Sequence, residues 1–164
     1  MNRLRSLVGL LFLVPAIAPA VELEDILQAL LDQALTVTIT ARLTINGEET
    51  VQSYELTRIT ISGRAVRLRL EGGNLTIIAE FTPYEDKDNS VLLVAEGQIW
   101  LRAPEQEEVQ YRTSFGSVPL KLGESALFYP LGRKNIDMGV ANEESGQLNI
   151  ELEVQIEPYQ AEKG

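Results

Sequence analysis

The spacing of apolar residues changes once along this chain, from a helical period to a period of two. Between positions 23 and 34, apolar residues recur every three or four positions, as on one face of an α-helix: Leu23, Ile26, Leu27, Leu30, Leu31 and Ala34. Three acids at the start of this segment, Glu22, Glu24 and Asp25, suit the positive end of a helix dipole. We predict one amphipathic helix, followed by strands.

Beyond the helix, apolar and polar residues alternate, which is typical of antiparallel strands with one buried face. The clearest alternation covers 36–45 and ends at Asn46-Gly47, a strong hairpin signal. The return strand, predicted over 49–62, loses its alternation, which indicates a bulge near Thr57-Arg58. Further strands are predicted over 66–70, 75–81, 90–104, 109–115, 118–122 and 148–157.

One stretch, 124–139, has no clear period, because the apolar run Ala126-Leu127-Phe128-Tyr129 is followed by Pro130 and Gly132. It is predicted to be a short helix or a loop that covers one end of the sheet. About eight or nine strands and one helix predict a mainly β (α+β) fold, in which a curved antiparallel sheet forms an incompletely closed barrel. The amphipathic helix is expected to cover the concave face of that sheet.

Residues 1–20 have the features of a cleaved export signal. Arg3 and Arg5 precede an apolar run over 7–14 that is too short to span a bilayer, and Ala18-Pro19-Ala20 offers the small residues that a signal peptidase recognises. We predict cleavage after Ala20, which would leave a single domain, 21–164, in the periplasm. The alternative is an uncleaved anchor. The chain has no cysteine, so a lipid cannot be attached through a lipobox.

Composition excludes several classes of function. The formal net charge of −10 disfavours nucleic acid as a partner, because the phosphate backbone is also negative. With no His and no Cys, Ser-His-Asp and Cys-His catalytic groups and imidazole or thiolate metal sites are impossible. We predict a protein that is not an enzyme, with no catalytic residues, no metal and no cofactor. An acid-based glycan hydrolase stays open, since 24 acids always offer some pair.

The stretch 81–104 carries a resemblance to a known family. It reads strand, acidic turn (85–89) and strand, and its second strand contains Gly97-Gln98-Ile99-Trp100-Leu101-Arg102-Ala103-Pro104 with the only tryptophan. A glycine turn followed by an aromatic strand that stops at proline resembles the central hairpin of the bacterial outer-membrane lipoprotein-sorting proteins, the periplasmic lipoprotein carriers (LolA-like superfamily). The order of predicted elements is similar over roughly 22–123.

The resemblance implies transport of lipids. Proteins of that family have an unclosed β-barrel, lid helices and an apolar cavity for acyl chains. We therefore expect a soluble, monomeric periplasmic carrier or chaperone that binds lipoprotein acyl chains or lipids, between an inner-membrane transporter and an outer-membrane acceptor. The residues expected to line the cavity are Ile39, Leu43, Leu68, Leu70, Leu93 and Trp100, with Leu27 and Leu31 of the helix as cover.

Alternatives stay open at each of these points. The same apolar residues would equally form a dry core, because cavity and core follow one sequence pattern. Arg67 and Arg69 are candidates for contact with a lipid head group or an acidic partner, or they pair with acids on neighbouring strands. The alternative function is a non-catalytic exported structural or interaction module of the cell envelope, which needs no cavity.

Overall fold

The computed structural model describes residues 20–45, 52–102, 109–132, 136–137 and 147–160. Residues 1–19 of the export signal expected over 1–20, and the turn expected at Asn46-Gly47, lie outside them. Within the described part no helix is long and apolar enough to cross a membrane. The elements are α1 (Ala20–Asp32), β1 (Ala34–Ile45), β2 (Gln52–Ile61), β3 (Val66–Gly72), β4 (Leu75–Glu85), β5 (Ser90–Arg102), β6 (Val109–Lys121), β7 (Ser125–Phe128), β8 (Ile136–Asp137) and β9 (Gln147–Pro158).

The strands form two antiparallel sheets, so the expected mainly β fold is confirmed. Sheet I has the order β2-β1-β9-β7, with β8 also bonded to β9, and sheet II has the order β3-β4-β5-β6. In the described part of the chain, the hydrogen-bond ladder is interrupted between β2 and β3 and again between β6 and β7. The strands therefore do not close into a barrel.

The core lies between the two sheets, because each sheet turns one apolar face toward the other. Alternation in burial is clearest in β4 and β5, in which nearly every second residue is buried. The ring of Phe81 in β4 meets the ring of Phe128 in β7 edge-on, with the ring centroids 5.8 Å apart. Among the described residues, the largest fully buried side chains are Leu35, Val37, Ile39, Ile77, Phe81, Val91, Leu93, Ile99, Ile150, Leu152, Val154 and Ile156.

Helix α1 forms as predicted, but it does not cover the apolar face of either sheet. Its apolar side chains Leu23, Ile26, Leu27 and Leu30 are between 47% and 72% exposed. The expected cover is wrong because the opposite sheet already buries that face. The amphipathic pattern predicted the helix correctly without indicating what its apolar side contacts.

Three strand predictions differ from the structure. The register between β1 and β2 is continuous from Ala34↔Ile61 to Leu43↔Gln52, so there is no bulge. The slip in alternation instead leaves Ile59 on the outer face of sheet I, 56% exposed. The two strands predicted over 109–122 are one strand, β6. The described residues of the stretch 124–139, predicted to be a short helix or a loop, include the strands β7 and β8.

The resemblance implied a turn at Gly97, but Gly97 lies in the middle of strand β5. A Cβ atom at this position would overlap the Ser114 Oγ and would lie 3.2 Å from the Pro130 Cβ and 3.3 Å from the Phe128 Cε1. Glycine is needed because the segment after β7 crosses the inner face of sheet II at this point. The Ser114 Oγ at this point is buried and has no hydrogen-bond partner among the described residues.

Candidate functional site

An apolar cavity opens where the ladder is interrupted between β2 and β3. Its volume is about 380 Å³. Strands β2 and β3 are not joined by ladder hydrogen bonds there, so side chains of the described strands line the space between them. The apolar side chains that line it come from four strands: Leu43 of β1, Leu70 of β3, Leu75 and Ile77 of β4, and Leu148 and Ile150 of β9.

The register of the strands explains why these side chains meet. Leu43 is paired with Ile150 across β1 and β9, and Leu70 is paired with Ile77 across β3 and β4. Directly paired residues of antiparallel strands project to the same side of a sheet. Each sheet thus contributes one cross-strand pair of aliphatic side chains to the cavity wall.

Polar side chains surround the mouth of the cavity: Gln52 and Tyr54 of β2, and Arg69 and Glu71 of β3. The Tyr54 hydroxyl donates a hydrogen bond to the Gln52 Oε1 at 3.1 Å. The Arg69 Nε donates to the Glu71 Oε1 at 2.8 Å, so the two charges at the mouth compensate each other. The cavity therefore combines an aliphatic wall with a polar and locally neutral rim.

Three of the residues singled out in the sequence belong to this site. Leu43 and Leu70 line the wall and are half-buried, and Arg69 lies at the rim. Their positions agree with an apolar wall and a polar entrance. Arg69 is not a free cation, however, because Glu71 of the same strand is its partner.

Ile39, Leu68 and Leu93 are not at the cavity. None of the three is among the residues that line it, and they lie in the hydrophobic core between the sheets. Of the two interpretations that the sequence left open for these residues, the dry core describes their surroundings. Alternation in sequence placed them on the correct face of each sheet but could not distinguish the closed part of that face from its open end.

Trp100 and the helix residues also lie elsewhere. Trp100 is on the outer face of sheet II, next to Tyr111 of β6, with the ring centroids 5.2 Å apart. The side chain of its neighbour Ile99 points into the core instead, because successive residues of a strand point to opposite faces. Leu27 is 57% exposed and Leu31 half-buried on α1, and neither lines the cavity. None of these three residues is among those that line the cavity between β2 and β3.

Five residues that line the cavity were not predicted as site residues from the sequence: Leu75, Ile77, Leu148, Ile150 and Tyr54. Apolar alternation in the strands over 75–81 and 148–157 was the available signal for the four aliphatic residues. It marked them as buried, like every other inward residue of those strands. Tyr54 carried no distinct signal, because it lies on an edge strand whose polar residues obscure the period.

Two clusters of charge on the outer faces are ion pairs between neighbouring strands. The Arg67 Nε donates to the Glu80 Oε1 at 2.7 Å, across β3 and β4, as the pairing alternative described. On sheet I, Arg42 forms ion pairs with two acids of β9. The Arg42 Nη1 lies 2.9 Å from the Glu151 Oε1, and the Arg42 Nη2 lies 2.5 Å from the Glu153 Oε2. The hydrogen bond from Arg42, and a second from Ser125, hold the pKa of Glu153 below its usual range. These groups stabilise sheet pairing at the surface and do not face the cavity.

The cavity offers little for bond-making chemistry. Among the described residues that line it, Glu71 is the only acid, so no second described carboxylate faces it. No group of three acidic side chains in the described ranges could hold a metal ion. Compared with models of known protein families and with curated protein sequences, the chain matches none.

Proposed function

We propose that the protein is a soluble periplasmic carrier or chaperone that binds acyl chains of lipoproteins or lipids, for transport to the outer membrane or for its maintenance. The observation that carries this proposal is the apolar cavity between β2 and β3. Its volume of about 380 Å³ falls within the ~300–1,000 Å³ common for small-molecule sites. An aliphatic wall suits a hydrocarbon chain, because such a chain has no polar groups that need hydrogen-bond partners.

The arrangement of the sheets supports this function. Strands β1 to β6 and then β7 and β9 follow one another around the core, so we treat the two sheets as an incompletely closed barrel that opens between β2 and β3 and between β6 and β7. Separation of β2 from β3 would widen the cavity without breaking a ladder hydrogen bond. Adaptable width is useful to a carrier, since it must accept and release chains of different length.

The energetics fit a reversible carrier. Each buried methylene group contributes ~0.8 kcal/mol, so about eight of them would supply ~6 kcal/mol before ordering costs. Affinity of that order allows uptake and release. The donor would be an inner-membrane transporter and the acceptor an outer-membrane protein, with the polar end of the cargo near the neutral rim of Tyr54, Arg69 and Glu71.

A second candidate function is a non-catalytic structural or interaction module of the cell envelope. The closed core favours it, because Ile39, Leu68 and Leu93 need no ligand to be buried. So does the outer face of sheet II, on which Phe115 is 69% exposed. An interaction module would bind through such a face and would leave the cavity between β2 and β3 empty.

Native mass spectrometry of the protein, purified without detergent and then mixed with palmitate or with a synthetic triacyl lipopeptide, tests the proposal. We expect a lipid adduct with the native protein and little or none with Leu70→Trp, because the indole would fill the cavity. Leu92→Trp is the matched control, since Leu92 lies on the outer face of β5 and is 43% exposed. Equal adduct formation by both variants, or none by the native protein, would leave the interaction module as the better description.

A further inference from the structure

Strand β6 (Val109–Lys121) is bonded on one side only. It is the last strand of sheet II, and no strand in the described part of the chain pairs with its other edge. A free edge presents unpaired N–H and C=O groups, which accept another strand unless charge, proline or short length prevents it. Between Val109 and Leu120, β6 has a single charged residue, Arg112.

The other strand edges are protected by charged residues or by the short length of the strand. Strand β3 carries the charged residues Arg67, Arg69 and Glu71, and β2 carries Glu55 and Arg58. Strand β7, at the far edge of sheet I, has only four residues. Among the described strands, β6 is the long edge with the least protection, since it has one charged residue before Lys121 and its single proline, Pro119, lies near its end. Such an edge is typical of a surface that pairs with a strand of another molecule.

The register identifies which backbone groups of β6 are free. The Leu122 N–H donates to the Asn89 carbonyl at 3.0 Å, where the two strands meet at their turn. Because the β5–β6 register is constant, even-numbered residues of β6 bond to β5 and odd-numbered residues face away. Pro119 belongs to the second set, as expected for a proline on an edge strand. With respect to the described residues, the free N–H and C=O groups are those of Val109, Tyr111, Thr113, Phe115 and Ser117.

The side chains of these same residues lie on the outer face of sheet II, where two of them are large and exposed. Tyr111 is 54% exposed and Phe115 is 69% exposed. A strand added along the edge would contact one side of both rings. The free backbone groups and the exposed apolar side chains thus favour the same kind of partner, an extended strand.

We propose that two copies of this chain pair β6 with β6, antiparallel, about a two-fold axis at Thr113. In this register all five free residues from Val109 to Ser117 exchange hydrogen bonds with the second copy. Tyr111 of each copy lies opposite Phe115 of the other, and aromatic pairs of this kind stabilise antiparallel strands. Shifting the axis to Phe115 would place Tyr111 opposite Pro119, which has no N–H to donate.

Three further features favour a second copy as the occupant. The pairing is isologous, so one surface satisfies both partners. Arg112 would lie opposite Ser114, so no like charges face each other directly across the new ladder. The cavity opens between β2 and β3, at the opposite edge of sheet II, so it stays accessible in the dimer. The inference is thus independent of the proposed lipid binding.

The net charge sets the conditions under which the dimer forms. Each copy carries a formal charge of −10, so the two copies repel each other at long range. Salt screens this repulsion over a Debye length of about 8 Å at physiological ionic strength. The dissociation constant should therefore fall when salt is added, the reverse of an interface held together by opposite charges.

Analytical ultracentrifugation over a range of concentrations and salt tests the pairing. We expect a dimer for the native protein and a monomer for Thr113→Pro, because proline removes a free N–H and obstructs the edge. The β5–β6 ladder should survive, since Pro119 has the same orientation. Thr113→Val is the matched control and should stay dimeric, and Phe115→Ala should raise the dissociation constant about tenfold. Circular dichroism verifies that each variant is folded.

Disulfide cross-linking tests the proposed register of β6 against β6. Because the chain has no native cysteine, only the introduced cysteines can form the disulfide. In the variant Thr113→Cys, the two cysteines at position 113, one from each copy of the chain, would face each other across the two-fold axis. Their Cα atoms would be about 5.5 Å apart, which permits a disulfide. Ser117→Cys is the control, because its own copy would lie about 27 Å away along the paired strands. We expect an oxidised dimer from the first variant only.

A native protein that is monomeric at every concentration and salt level, as the sequence analysis expected, would overturn the proposal. A dimer that persists in Thr113→Pro, or that cross-links through Ser117→Cys and not through Thr113→Cys, would overturn it as well. None of these outcomes affects the lipid adduct predicted for the cavity, so failure of one proposal is distinguishable from failure of the other.

Discussion

Gly97 shows how one residue reports on packing that the local sequence does not reveal. It lies in an extended strand and needs no unusual backbone conformation, so its identity depends on the neighbours Ser114, Phe128 and Pro130. Pro130 and Phe128 follow β6 in the chain and reach Gly97 only because the chain returns across sheet II. A glycine inside a strand therefore indicates a close approach as readily as a turn.

We expect Gly97→Ala to lower the free energy of unfolding by roughly 1–3 kcal/mol, because the added methyl group has no space. Gly116→Ala is the control, since a Cβ there would lie 3.8 Å from the Phe128 ring, an ordinary contact. Urea unfolding followed by circular dichroism measures both. Equal stability of the two variants would contradict the close approach of the segment after β7.

At the same scale, the ion pair of Arg42 with Glu153 makes stability depend on pH. The pKa of Glu153 is lowered in the folded protein, by the hydrogen bond from Arg42 first and then by that from Ser125. A carboxyl whose folded pKa lies below its unfolded pKa stabilises the protein above the unfolded pKa, and this contribution is lost as pH falls through the folded pKa.

We therefore expect Glu153→Gln to be less stable than the native protein at neutral pH, with the difference shrinking in acid, below about pH 4. Free energies of unfolding at both pH values measure the effect. Glu55→Gln is the control, since Glu55 lies on the same face without an ion pair among the described residues. A difference that stays constant with pH would show that the side chain acts by packing alone.

At the scale of elements, the pattern of apolar residues predicted the surroundings of the strands better than it predicted those of α1. The strands contribute alternate residues to a core that both sheets share. The apolar side chains of α1 are exposed, so the helix contributes little burial to the described fold. The same kind of sequence signal, an apolar face, thus led to a core position in one case and to an exposed surface in the other.

Deletion of residues 20–32 should change the melting temperature by less than about 4 °C, which corresponds to ~1 kcal/mol for a domain of this size. By contrast, Ile39→Ala shortens a core side chain and should lower the free energy of unfolding by about 2–5 kcal/mol. Differential scanning calorimetry measures both. A large loss of stability on deletion of α1 would mean that the helix covers apolar surface after all.

At the scale of the whole molecule, the cavity and the free edge of β6 lie at opposite edges of sheet II. The two proposals should therefore be separable. We expect Leu70→Trp to lose the lipid adduct and to remain dimeric, and Thr113→Pro to become monomeric and keep the adduct. Native mass spectrometry reads both properties in one experiment. Loss of both properties in either variant would show that the two surfaces are coupled or that the variant is misfolded.

How far the site was predictable depended on the distance between its parts in the sequence. Leu43 and Leu70 were chosen because alternation placed them on inward faces, and they line the cavity. Trp100 was chosen from the resemblance, but the residues of β5 that point into the core are the odd-numbered ones, so Trp100 lies on the outer face of sheet II. Ile150 reaches the cavity through pairing with Leu43, more than a hundred positions earlier, which no local pattern encodes.

The sequence by itself determined the helix, the long strands and the inward face of most of them, because these properties follow from the period of apolar residues within one segment. The tertiary structure alone decided that two sheets bury each other, that α1 stays exposed, and that the apolar face opens into a cavity between β2 and β3. The physical reason is that burial is a relation between segments. A period shows which side of a strand avoids water, whereas only the packing of distant strands decides what covers that side and where the cover ends.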